Sequence, residues 1–164
     1  MKTMQWATID RKEWPAGPWD GEPDKVQWQD EDTGLPCIAV RHQRSGHWCG
    51  YVGVAAGHPL FEKGYNDDPD LNVHGGITYA DFCQPHGDEE GKGICHIAGP
   101  GEPDRVWWLG FDCAHSGDWS PQDAIYERDK PEQCWKRLGE DTYKTLQYVK
   151  NQCADMAAQL KAQA

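Results

Sequence analysis

Between Arg105 and Asp118 the chain reads Arg-Val-Trp-Trp-Leu-Gly-Phe-Asp-Cys-Ala-His-Ser-Gly-Asp, and no other stretch limits its folding so strongly. In an extended chain successive side chains alternate, so Val106, Trp108 and Gly110 share one face while Trp107, Leu109, Phe111 and Cys113 share the other. At least one of these faces has to be deeply buried, which makes the run a strand in the middle of a core. After Asp112 the apolar pattern stops. Ala114-His115-Ser116-Gly117 favours a turn, and a turn there aims an imidazole and the Asp118 carboxylate back over the strand end. Active-site loops are commonly built in this way.

What surrounds that strand is short elements and turns. Nine Trp, 18 Gly and 11 Pro among 164 residues argue against a helical bundle, and the length suits one domain, 1–164. A mean hydropathy of -0.85 leaves no room for a membrane-spanning helix. A net charge of -11 disfavours a nucleic-acid duplex as partner. The opening Met1-Lys-Thr-Met-Gln-Trp lacks the apolar core of a secretory leader, so a cytoplasmic setting is expected. In that setting the seven Cys are expected to be free thiols or metal ligands rather than disulfides.

Residues 1–22, rich in Trp, Pro and Gly, read as an irregular arm whose Trp6, Trp14 and Trp19 dock on the body. Residues 23–120 carry the sheet and its loops. Lys25 to Asp30 alternates like a short strand, and Pro36 to His42 with His47 to Val54 flank Gln43-Arg-Ser-Gly46 as a hairpin. Gly50 and Gly53 inside the second hairpin strand imply close approach by something else. Leu71 to Tyr79 reads as a strand with His74, Gly76 and Thr78 on a face stripped of bulk, and Ile94 to Ile97 as another. Residues 121–164 are the helical part. Pro121 to Lys130 and Pro131 to Leu138 suit helical turns, and Tyr143, Leu146, Val149, Cys153, Met156 and Leu160 recur at helical spacing after Asp141, a good N-cap. The fold expected is α+β: a twisted, mainly antiparallel sheet with long Gly-rich loops and the C-terminal helix packed on one face.

His58, His74, Asp112, His115 and Asp118 lie in turns or on the sparse strand face. Two imidazoles and a carboxylate can hold zinc, manganese or iron and leave a position for water. On this reading His58, His74, Asp112 and His115 are the metal ligands, with Asp118 and His115 also catalytic. The competing reading is that His58 caps its own loop, His74 makes a hydrogen bond across the sheet, and Asp112 and Asp118 stabilise the turn as Asx residues. Cys83, His86, Cys95 and His96 offer a second, structural metal set, though Cys95 and His96 would point to opposite faces of a strand. Cys113 reads as a buried small hydrophobe. Trp48, Trp107, Trp108 and Trp135 read as core, and Trp14, Trp19, Trp28 and Trp119 stand in turn-rich or polar contexts. Arg41, Arg44 and Arg105 are the groups a phosphate is expected to meet.

The runs Gly46 to Val54, His58-Pro59, Val73-His-Gly-Gly-Ile-Thr-Tyr79 and Trp107 to Asp118 resemble a family of small, functionally uncharacterised phage and bacterial proteins. The resemblance covers about half of the chain and excludes the N-terminal arm. It implies a phage-linked protein of the host-cell cytoplasm, acting on or sequestering a host nucleotide or protein. Two functions are therefore expected. One is a metal-dependent hydrolase of a nucleotide or other phosphorylated small molecule, its bound water oriented by Asp118. The other is a non-catalytic protein that binds a small anionic ligand, such as a nucleotide signal, or a host protein.

Overall fold

Both apolar faces of the opening run are buried, on two different sides of one sheet. In a computed structural model, which describes residues 1–67, 70–84, 90–133 and 141–164, the strands are β1 (Met4–Trp6), β2 (Lys25–Gln29), β3 (Pro36–Arg41), β4 (Trp48–Val54), β5 (Tyr79–Phe82) and β6 (Trp107–Asp112). They form one six-stranded sheet in the order β1-β2-β3-β4-β6-β5, antiparallel at every pairing. A two-stranded parallel pair, β7 (Asp118–Trp119) and β8 (Thr142–Tyr143), stands beside it. The helices are α1 (Pro121–Asp129) and α2 (Leu146–Ala162), so the class is α+β. None of the described helices is long and apolar enough to cross a membrane.

On one face Trp107, Leu109, Phe111 and Cys113 pack with Val149, Cys153, Met156, Ala157 and Leu160 of α2. On the other, Val106 and Trp108 pack with Ile38, Val40, Tyr51 and Ile94. The glycines of β4 and β6 make this double burial possible, because each faces a bulky ring across the ladder. Gly50 pairs with Phe111, and a Cβ on it would lie 2.5 Å from that ring and 3.0 Å from the Cys153 sulfur. The close approach foreseen at Gly50 is thus α2 and Phe111.

Several expected elements take another form. Residues 71–78 are not a strand; only Tyr79–Phe82 is. Gly75 and Gly76 both have positive φ (67° and 85°), and a turn closes from Gly76 N–H to the Val73 carbonyl. The neighbouring amides of Asn72 and His74 donate to Gln159 and Gln152 of α2 rather than to a ladder. Residues 94–97 also form no strand. The Ile97 amide donates to the Gln27 side chain, the Ile97 carbonyl accepts from it, and the Cys95 carbonyl accepts from Lys25. Side chains of β2 thereby satisfy this backbone before a neighbouring strand can.

The arm is more ordered than its composition suggests. It supplies β1, and Trp19 is fully buried between Trp14, Trp119 and Tyr143. Helix α2 starts at the N-cap Thr145 rather than at Asp141, since Thr142–Tyr143 is taken by β8. Pro131–Gln133 forms a single 3-10 turn. The rest of the expected 131–138 turn, with Trp135, lies outside the described residues, and so does His86. Cys83 and Cys95 are joined by a disulfide, which corrects both the expectation of seven free thiols and the structural metal site. His96 instead packs edge-on against Trp108 and meets the Pro103 carbonyl.

Candidate metal centre and cleft

The turn after β6 and the pair β7/β8 place Asp118. Its amide donates to the His115 carbonyl, closing the turn, and Asp118 pairs with Thr142 in the parallel ladder. Its side chain is only 4% exposed. His74 reaches it from the Gly75-Gly76 turn: His74 Nε2 is 2.8 Å from Asp118 Oδ2, and His74 Nδ1 is 3.0 Å from the Tyr148 hydroxyl. The carboxylate can only accept, so Nε2–H donates to it and Tyr148 O–H donates to Nδ1. The His115 amide adds a hydrogen bond of 2.9 Å to the same oxygen, while Lys144 Nζ lies 3.4 Å from Oδ1. Burial alone would raise the Asp118 pKa. The bonds from His74, His115 and Lys144 outweigh it and hold the carboxyl below its usual range.

His115 completes the cluster. Its ring lies flat over Gly75, where a Cβ would come within 2.1 Å of it. Its Nδ1 is buried, has no hydrogen-bond partner, and stands 3.7 Å from both Asp112 Oδ1 and Asp118 Oδ2. Ligand atoms of His74, His115 and Asp118 all lie within 4.8 Å of one another. A buried nitrogen left without a partner beside two carboxylates is the feature that a cation would satisfy. The donor set, two imidazoles and one carboxylate, suits zinc, manganese or iron(II) with open positions.

His115 and Asp118 open onto a cleft of about 380 Å³, whose lining also includes Ser45, His47, Trp119, Ser120 and Asp123. Of the expected ligands, His74, Asp112 and His115 are brought together, with Asp112 one step out, against His115 and bonded to the Ala114 amide. Asp118, expected as a base, sits among the candidate ligands. His58 does not join them. Leu60 N–H donates to its Nδ1 at 3.1 Å and its Nε2–H donates to the Leu160 carbonyl at 2.9 Å, so both ring nitrogens are engaged at the C-terminal end of α2. Cys113 is 2% exposed and burial pushes its thiol up, which removes it as a nucleophile at neutral pH.

Arg41 and Arg105 do not reach the cleft. Arg41 is buried against Glu22 and Tyr143, and Arg105 pairs with Glu62. Three contributors went unnoticed in the sequence: Tyr148, Gln152 and Lys144. Tyr148 and Gln152 are four residues apart, so they share one helix face, and that spacing was a readable signal for a polar contact beside the apolar stripe. No known protein family, curated protein or solved structure matches the chain.

Proposed function

We propose that the protein is a small metal-dependent hydrolase whose divalent ion is held by His74, His115 and Asp118. The observation that supports this most is the unpartnered, buried His115 Nδ1 within a cluster of the right donors. A zinc, manganese or iron ion there would supply Lewis acidity and a bound water of lowered pKa. The chain's own residues supply the rest. Tyr148 and His74 fix the Asp118 carboxylate, Gly75 seats the His115 ring, and Asp112 takes over as the nearby carboxylate able to accept a proton.

The substrate class we propose is a nucleotide or other phosphorylated small molecule. No Lys or Arg stands among the described residues lining the cleft, whereas Asp118 and Asp123 do. Lys144 is already engaged with Asp118, so the ion supplies the charge that draws in an anionic substrate, and chelator should weaken binding as well as abolish turnover. The test is elemental analysis of tag-free protein, followed by a nucleotide and phosphate-ester panel with and without chelator. One ion per chain with chelator-sensitive turnover is the expected result; metal-free protein active in chelator would overturn the reading.

One observation favours a second reading. His74 already has both nitrogens engaged, by Tyr148 and Asp118, so the network is closed on that side without an ion. A non-catalytic binder of a nucleotide signal or of a host protein would return its ligand intact from the same panel. The phage link proposed from the motifs implies the host-cell cytoplasm. The Cys83–Cys95 bond removes the thiol argument for that setting, because disulfides persist mainly in oxidising compartments. Thiol mapping of the protein taken directly from infected cells decides it: free Cys83 and Cys95 support the cytoplasm, a bonded pair excludes it.

A further inference from the structure

A different set of groups occupies the hairpin side of the same cleft. Ser45 sits in the turn between β3 and β4, where its Oγ is 2.7 Å from His42 Nδ1 and 2.8 Å from His47 Nδ1. The two imidazoles are stacked, with centroids 5.0 Å apart and planes within 5°. The turn is pinned from both ends. Gly46 adopts φ +77°, its amide donates to the His42 carbonyl, and the Ser45 carbonyl accepts from Gln122 N–H in the first turn of α1.

The proton positions follow from a single fact. The Ser45 backbone N–H also contacts His42 Nδ1, at 3.3 Å, and an amide N–H can only donate. His42 Nδ1 therefore carries a lone pair, and the Ser45 hydroxyl donates to it. His47 Nδ1–H then donates to the Ser45 oxygen. The serine is held between an acceptor for its proton and a donor to its oxygen, the arrangement of an activated hydroxyl. His42 is exposed and can pass the proton on, whereas His47 is partly buried in the cleft lining.

We propose that Ser45 is a nucleophile, with His42 as its base and His47 as a positioning residue, and that it accepts an acyl group from a small neutral or cationic ester bound in the cleft. The cleft chemistry selects that class: the described lining residues include no Lys or Arg to hold an anionic donor, and a volume of about 380 Å³ admits only a small one. In the first half-reaction the Oγ–carbon bond forms and the ester carbon–oxygen bond breaks. The Oγ proton passes to His42 and from there to the departing alkoxide. In the second, water adds its oxygen to the acyl carbon, the Oγ–carbon bond breaks, and a proton of that water returns to Oγ.

The inference does not rest on the metal centre, and its test is run in chelator so that the two can fail separately. The probes are a neutral alkyl fluorophosphonate, which forms an Oγ–phosphorus bond with loss of fluoride, and p-nitrophenyl acetate. One adduct per chain, mapped to Ser45, is expected, and Ser45→Ala should abolish it. His42→Ala should slow labelling about 100-fold, the ordinary worth of a general base, and added imidazole should restore much of it. His47→Asn, whose amide nitrogen takes the place of Nδ1, should keep labelling that His47→Phe loses. Circular dichroism melts confirm that each variant is folded, as the exposed turn position of His42 leads one to expect. No adduct on the folded wild-type protein, an adduct that survives Ser45→Ala, or His42→Ala labelled at the wild-type rate would each overturn the proposal.

Discussion

Gly75 underlies the candidate metal centre and decides where His115 can lie. It combines a positive φ of 67° with a site at which a Cβ would fall 2.1 Å from the imidazole. Gly75→Ala should therefore cost roughly 1–3 kcal/mol in backbone strain and also displace His115. The expected outcome is a folded protein with a lower melting temperature and with zinc affinity reduced at least tenfold in a competition titration. Retention of full affinity would detach His115 from the centre.

Lys25 allows a test of a different kind. It is fully buried, its Nζ donates to the Glu90 and Cys95 carbonyls, and burial lowers its pKa from 10.5 to about 8. Between those two values the unfolded chain binds more protons than the folded one. By linkage, stability contributed at this position rises with pH from about 8 upwards. Urea unfolding of wild type and Lys25→Met at pH 7.5, 8.5 and 9.5, about the lower part of that window, should show the difference shifting in favour of wild type as pH rises. A difference independent of pH would mean that Lys25 titrates normally.

At the scale of elements, α2 is the clearest case of a pattern becoming a contact. Thr145 caps it by accepting from the Tyr148 amide, and Val149, Cys153, Met156, Ala157 and Leu160 are buried along one stripe that lies across β3 and β4. The stripe does not begin at full depth, because Leu146 is only partly buried beside the β8 connection. Leu160→Ala should cost about 2–5 kcal/mol through lost burial and a residual cavity, and Leu146→Ala clearly less. Chemical denaturation of both variants checks the order, and an equal or larger loss at Leu146 would contradict the packing. Leu160 also offers its carbonyl to His58, so the loop after β4 is tied to the end of this helix.

For the whole molecule, Glu22 joins parts that are remote in sequence. Its Oε2 accepts from Arg41, Trp48 and Tyr143, and its Oε1 accepts from the Leu146 amide at the start of α2. The arm, the hairpin, β8 and α2 thus meet on one carboxylate. Arg41 is fully inaccessible in its side chain, so Glu22→Ala would strand a buried guanidinium with Asp24, 3.7 Å away, as its remaining acid. A loss of about 3–5 kcal/mol is expected, large against the total for a domain of this size. Thermal and urea melts read it directly, and a loss below about 1 kcal/mol would show that Asp24 alone suffices.

Local rules account for what the sequence by itself determined. The two-faced β6 run, the β3/β4 hairpin, the Pro-led α1 and the 3.6-residue stripe of α2 depend on near neighbours and on apolar spacing, and each is present. Gly75 and Gly76 after His74 were legible as a face stripped of bulk, but not as the seat of the His115 ring. Tertiary structure decided which polar groups converge. His74 is set by Tyr148, 74 residues away, and His58 is drawn off by Leu160, 102 residues away, though the two histidines look alike in the sequence. The same holds for residues 71–78 and 94–97, whose extended-looking patterns were overruled when side chains of α2 and β2 satisfied their amides. A backbone donor takes whatever acceptor the folded chain presents, and spacing along the chain carries no record of which one that will be.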